Sequence, residues 1–144
     1  MKPQENEILL IYNGRKTQDS KVLGYASSVQ KYKVNERNID KNPLTETQLI
    51  KVANDMGLQV LDLIDKTSDT YLNEIKDQSF SNEEMLKIVR QHPEILKTPI
   101  AMLNGTVFFV HSAYDFVNKG IEIEGIKSKS GNVYESPNRD KDND

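Results

Sequence analysis

The sequence predicts an α/β domain in which a strand–helix–strand unit is joined, through further helices, to a strand–strand–helix unit. Three observations predict it. Residues 7–12, Glu7-Ile-Leu-Leu-Ile-Tyr12, form a nearly all-apolar run of strand length that feeds a polar turn and then a helix-like segment. Near the other end, Pro99–Leu103 and Thr106–Val110 are two apolar runs joined by Asn104-Gly105, the strongest short-range hairpin signal. Between them, Thr45 with Gln48 and Ser81 with Glu84 each form a capping box ahead of an apolar helical face.

Taken in order, the first run reads as a strand buried on both faces. Asp19 or Ser20 is placed to cap the helix that follows, whose apolar positions are Val22, Leu23, Ala26 and Val29. Tyr32–Ile39 alternates as a half-exposed strand does. Asn42-Pro43 makes a turn, and Leu49, Ile50, Ala53 and Met56 share one helical face that Gly57 ends as a C′ glycine. Val60–Ile64 is a short apolar segment, read as a single turn. Met85, Leu86, Ile88 and Val89 continue to His92-Pro93, where the proline stops the helix. After the hairpin, Ser112 and Asp115 open a last helix carrying Phe116, Val117 and Ile121. This order is the plan of a thioredoxin-like domain over 7–122, β-α-β then β-β-α, with a helical insert at about 44–93. Its first two strands are expected to run parallel through a right-handed crossover, and its last two antiparallel. From about Lys127 the chain is polar, charged and punctuated by Gly and Pro, so 127–144 reads as a disordered tail.

Composition removes several function classes. At 144 residues the chain suits one domain that buries about two-thirds of its unfolded surface. A net charge of −3 argues against direct nucleic-acid binding through a broadly basic surface. No apolar run approaches the ~18 residues a membrane helix needs, and the start, MKPQEN, lacks a signal-peptide core, so the cytoplasm is the default location. There is no cysteine, hence no disulfide, no thiolate metal site and no thiol chemistry of the chain's own. The two histidines, His92 and His111, are far apart and suggest no metal cluster, and no cofactor is expected.

Two stretches, "ERNIDKNPLTETQLIKVANDMG" (36–57) and "FSNEEMLKIVRQHPEILKTPIAMLNG" (80–105), resemble the ArsC/Spx family of glutaredoxin-coupled arsenate reductases and related transcriptional regulators. The similarity runs over about residues 7–120 and is most specific in QHP…TPI. It implies a thioredoxin-like fold and a cis proline at Pro99 facing the active site. The family's nucleophilic cysteine falls on Thr17, with Ser20-Lys21 following. Its three oxyanion-holding arginines fall on Asp65 (in Leu63-Ile64-Asp65-Lys66), Thr98 (in Lys97-Thr98-Pro99-Ile100) and His111 (before Ser112). All four functional positions have departed.

A threonine hydroxyl has no accessible ionised form near neutral pH and cannot form the mixed disulfide that such a reductase needs resolved. An aspartate facing an anion at ~4 Å repels it by about a kcal/mol or more at intermediate dielectric. The resemblance with these departures leads to the expectation that the chain is no enzyme and acts as a binding or regulatory module toward a protein partner yet to be identified. The other reading is a binding protein or enzyme that handles a small anion or a glutathione adduct in the residual cleft. Arg15 and Lys16, with Lys21 one helical turn on, and His111 in place of an arginine, are its candidate anion-binding residues. Each also has a plainer reading: solvated loop cations, a strand-end histidine bonded to nearby backbone, and a turn hydroxyl at Thr17. His92 is expected to meet the last carbonyls of its helix. The aromatic residues, Tyr25 included, fit core and cross-strand positions.

Overall fold

The computed structural model describes residues 3, 5–29 and 31–120. The expected tail at 127–144, and the last residues of the expected 7–122 domain, Ile121 among them, lie outside the described residues. The elements follow one another as β1 (Glu7–Tyr12), α1 (Thr17–Ser27), β2 (Lys33–Asn38), α2 (Glu46–Met56), α3 (Asn82–Gln91), β3 (Ile100–Leu103), β4 (Thr106–Phe109) and α4 (Ala113–Val117). Short 3-10 turns occupy Val60–Leu63 and Pro93–Ile95, and a single wide π turn, Tyr71–Ile75, lies between α2 and α3.

The four strands form one sheet in the order β2-β1-β3-β4. β1 pairs parallel with β2, Leu10 opposite Glu36, and antiparallel with β3, Leu10 opposite Ala101. β3 and β4 pair antiparallel, with Leu103 opposite Thr106 at the turn. Asn104 and Gly105 both have positive φ, 48° and 79°, which is the backbone of a two-residue type I′ turn. This is the thioredoxin-like arrangement of a mixed α/β sheet.

The period of two along each strand sorts side chains into two cores. Ile11, Ile100 and Met102 face one way and pack with Leu49, Val52 and Ala53 of α2, Met85, Leu86 and Val89 of α3, and Leu63, Ile64 and Ile95. Ile8, Leu10, Ala101, Leu103 and Phe108 face the other way, against Val22 and Ala26 of α1 and Phe116 of α4. There the Phe108 and Phe116 rings meet edge to face with centroids 6.2 Å apart. β1 is thus covered on both sides, which is why its sequence is almost continuously apolar.

The helix ends follow local chemistry. Thr45 Oγ1 accepts from Gln48 N at 3.1 Å while Gln48 Oε1 accepts from Thr45 N at 3.0 Å. Ser81 and Glu84 make the same reciprocal pair at 3.1 and 2.9 Å. Gly57 closes α2 in the left-handed region at φ 69°. Two sequence expectations, the cap of α1 and Tyr25, are corrected. The cap of α1 is neither Asp19 nor Ser20, because Lys16 N donates to Asn13 O at 3.0 Å and closes the turn early, leaving Lys16 at the N-cap. His92 meets the end of its helix as expected, its N donating to Ile88 O at 2.8 Å, while its Nδ1 lies 3.3 Å from Glu94 Oε2. Tyr25 is 40% exposed, so it is not a core residue.

Candidate functional site

The site is the β1–α1 junction and the segments that lean on it. β1 is held on both edges, so it delivers Asn13 rigidly to the end of the sheet, and Asn13 is buried. The chain then turns sharply into α1. Thr17 is the first residue of that helix and is exposed. Gly14 N donates to Asn38 Oδ1 at 2.9 Å, and a Cβ on Gly14 would stand 2.4 Å from Asn38 Nδ2. Only a glycine lets the loop lie this close to the end of β2.

Three side chains of the first turn of α1 reach across to the second half of the chain. Lys16 Nζ donates to Leu96 O at 3.3 Å, and Gln18 Nε2 donates to His111 O at 3.2 Å. Asp19 is 2% exposed, and its Oδ2 accepts from Asn13 N at 2.8 Å and from Thr98 Oγ1 at 2.5 Å. Such a buried carboxylate is tolerable because donors face it, one of them at the positive end of a helix. Thr98 precedes Pro99, and the Thr98–Pro99 peptide bond is cis. Val110 N donates to Pro99 O at 2.9 Å, which ties the end of β4 to the proline.

Asp65 sits on the neighbouring strand-like segment, where Asp65 N donates to Ile95 O and Lys97 N to Leu63 O, both at 2.7 Å. Its Oδ1 accepts from Thr67 N at 2.9 Å and Thr67 Oγ1 at 2.6 Å. Partial burial pushes its pKa up, but the two Thr67 hydrogen bonds and the positive charges of Lys16 and Lys97 outweigh that and hold it below the usual carboxylate value. Lys97 also lies over the Phe109 ring, 5.0 Å from its centroid.

The structure therefore gathers Lys16, Asp19, Asp65, Thr98 and Pro99 about one junction, with Thr17 at its rim. It does not gather the candidate anion trio. Arg15 Nε pairs outward with Asp40 Oδ1 at 2.9 Å, with the Arg15 side chain 79% exposed. Lys16 is spent on the Leu96 carbonyl and the Asp65 charge. His111 is exposed, and its main chain is what the fold uses: His111 N donates to Asp115 Oδ2 at 2.6 Å. Sequence reasoning missed Asp19, Asn38, Thr67 and Lys97. An aspartate three residues into a helix was the one available signal, and it was read as a cap. Among the described residues no group of three or more His, Cys, Asp or Glu could hold a metal ion, and no helix is long and apolar enough to cross a membrane.

Comparison with known proteins places this junction in a family. The family model of the ArsC family matches residues 15–109. No curated protein matches the chain. Among solved structures, an arsenate reductase from Vibrio cholerae superposes with a TM-score of 0.69 at 14% identity, covering 80% of this chain and 98% of that one. A protein described as a possible arsenate reductase from Streptococcus mutans gives 0.62 at 14% identity, covering 77% and 97%. A Staphylococcus aureus protein solved by solution NMR gives 0.58 at 16% identity, covering 75% and 95%. At these identities the structures show the fold. The expectation that the chain is no enzyme is overturned by these matches, since the family and the structures that share its fold include arsenate reductases. A missing cysteine removes a nucleophile and does not remove the chain from a family of enzymes.

Proposed function

This chain belongs to the ArsC family, and we propose that within it the chain serves as a binding or regulatory module whose junction works without a thiol of its own. These 144 residues hold no cysteine, so any thiol step in which they take part draws its sulfur from elsewhere. The observation that carries the reading is Asp19. Its carboxylate already occupies the donors of the junction, the Asn13 amide and the Thr98 hydroxyl. A second carboxylate, Asp65, neutralises the cations beside it. A free oxyanion arriving there meets like charge and few open donors. A macromolecular partner that reads the outer surface meets neither obstacle.

The alternative, a cleft that takes a small anion or a glutathione adduct, is favoured by one observation: Lys16 and Lys97 both lie within electrostatic reach of Asp65. A thermal-shift panel of arsenate, phosphate, sulfate and glutathione separates the two. A ligand at 100 times its dissociation constant adds about 2.7 kcal/mol, several degrees for a domain of this size. Flat curves are expected, and arsenate turnover is followed in parallel with glutathione and a glutaredoxin supplied. A clear shift from one anion would hand the reading to the small-ligand cleft. Turnover in the presence of the added thiol would replace it with catalysis in trans.

A further inference from the structure

The chain carries the dipeptide Asn-Gly twice, and the two copies are held in opposite ways. We propose that Asn104–Gly105 is a covalent modification site, where the side-chain amide is lost through a cyclic imide, and that Asn13–Gly14 is protected from the same reaction by its hydrogen bonds. The chemistry needs no partner but water and a base from solvent. The Gly main-chain nitrogen gives its proton to solvent base and attacks Cγ of the preceding asparagine, so an N–Cγ bond forms. The Cγ–Nδ2 bond breaks, and the nitrogen leaves as ammonia after taking up a proton. Water then opens the imide at either carbonyl, leaving aspartate or a β-linked isoaspartate. No oxidant or reductant is involved. Glycine favours the step because it puts no side chain in the path of the attack.

At residues 104 and 105 both reacting groups are open. Both residues are exposed. Nothing lies within 4 Å of the position a Cβ would take on Gly105. Among the described residues no acceptor is recorded for the Gly105 amide or partner for the Asn104 side chain. The dipeptide is the whole loop of the β3–β4 hairpin, closed by the Leu103–Thr106 pair, so fraying of that one pair gives the turn the backbone freedom the attack needs.

At residues 13 and 14 both reacting groups are engaged. The attacking nitrogen, Gly14 N, donates to Asn38 Oδ1 at 2.9 Å. The carbonyl that would be attacked is held by Arg15 N, which donates to Asn13 Oδ1 at 2.9 Å. Asn13 is 3% exposed, and its own amide is bound to Asp19 at 2.8 Å. Cyclisation there must first break two hydrogen bonds and release the buried Asn13 side chain.

The product would matter to the hairpin. Aspartate adds a negative charge at its tip, and isoaspartate adds an atom to the main chain of a two-residue turn whose geometry sets the pairing of β3 with β4. The test uses the purified full chain, held in mildly alkaline buffer at growth temperature and sampled over days. Mass spectrometry of digested samples localises the change from amide to acid, and enzymatic methyl transfer to β-linked carboxylates detects the isoaspartate. Asn104 is expected to convert about tenfold faster than Asn13 or more, since breaking one average hydrogen bond already costs roughly that factor. Equal rates, or conversion of Asn13 first, would overturn the proposal. So would an intact Asn104 under conditions where a free peptide of residues 101–107 converts. Asn38→Ala, checked as folded by circular dichroism, is expected to raise the Asn13 rate toward that of Asn104 and leave Asn104 unchanged. An unmoved Asn13 rate in that folded variant would sink the protective role given to Asn38.

Discussion

Asp19 and Asp65 flank the same junction, and the chain treats them differently. Asp19 is buried and has become part of the frame: one oxygen accepts from the main chain of the β1–α1 turn and from a hydroxyl on the far half of the chain. Asp65 is partly exposed and bound mainly to its own loop through Thr67, with lysine charges nearby. The contrast teaches that a carboxylate beside one junction can serve in two ways. A carboxylate taken into the interior fixes the distance between two segments, whereas one left at the rim only sets local charge. Energies should therefore separate the two sharply.

The largest effect is expected at Asp19. Asp19→Ala leaves the buried Asn13 amide and the half-buried Thr98 hydroxyl without their acceptor, at about 1–3 kcal/mol for the first and about 1 kcal/mol for the second, so a loss of about 2–4 kcal/mol is expected. Urea unfolding with an unchanged slope reads it directly. Asp19→Asn keeps an acceptor oxygen and is expected to recover about half. If Asp19→Ala cost no more than Asp65→Ala, the comparison would collapse.

Thr98 comes next, because it is the distant end of the Asp19 contact. Thr98→Val keeps the volume and removes the donor, with an expected cost of about 1 kcal/mol, and Thr98→Ser should restore most of it. A double-mutant cycle sharpens the point. Asp19→Asn with Thr98→Val should couple, since the two side chains touch, whereas Thr98→Val with Asp65→Asn should add. Additivity of the first pair would mean that the 2.5 Å contact contributes little.

What the sequence made legible divides along the same line. β1, the hairpin, the capping boxes of α2 and α3 and the C-cap at Gly57 were read correctly because each signal is complete within a few residues. The role of Asp19 was not, because it depends on Thr98, 79 residues away, and a helix-start aspartate has a cap as its default meaning. For Arg15 the sequence leaves a ligand-facing and a solvated reading open, because nothing local announces Asp40, which the β2 turn brings to it. The π turn at Tyr71–Ile75 went unread, since a single wide turn has no periodic signature of its own. Family resemblance pointed to Thr17, Asp65, Thr98 and His111 but says nothing of what these side chains do, which is decided by contacts between segments remote in sequence.

The smallest effect belongs to Asp65, and its sign can be worked out. Its carboxyl titrates lower in the folded chain than in the unfolded one. Folding is therefore favoured by the ionised form. That contribution is fully present above the ordinary carboxylate value and disappears as the pH falls through the lower folded value. The group is partly exposed and screened, so the contribution is less than about 1 kcal/mol. Asp65→Asn should leave stability slightly reduced above the ordinary carboxylate range and make it converge with the parent as the pH falls through the lower folded value. Lys16→Met removes one of the charges that favour ionisation, so it should move the Asp65 titration upward and shift the acid limb to higher pH. Paired urea midpoints across that range for parent, Asp65→Asn and Lys16→Met provide the check. An acid limb unaltered by either change would mean that Asp65 sets no charge balance at the junction, leaving Asp19 as the one carboxylate there with a physical role.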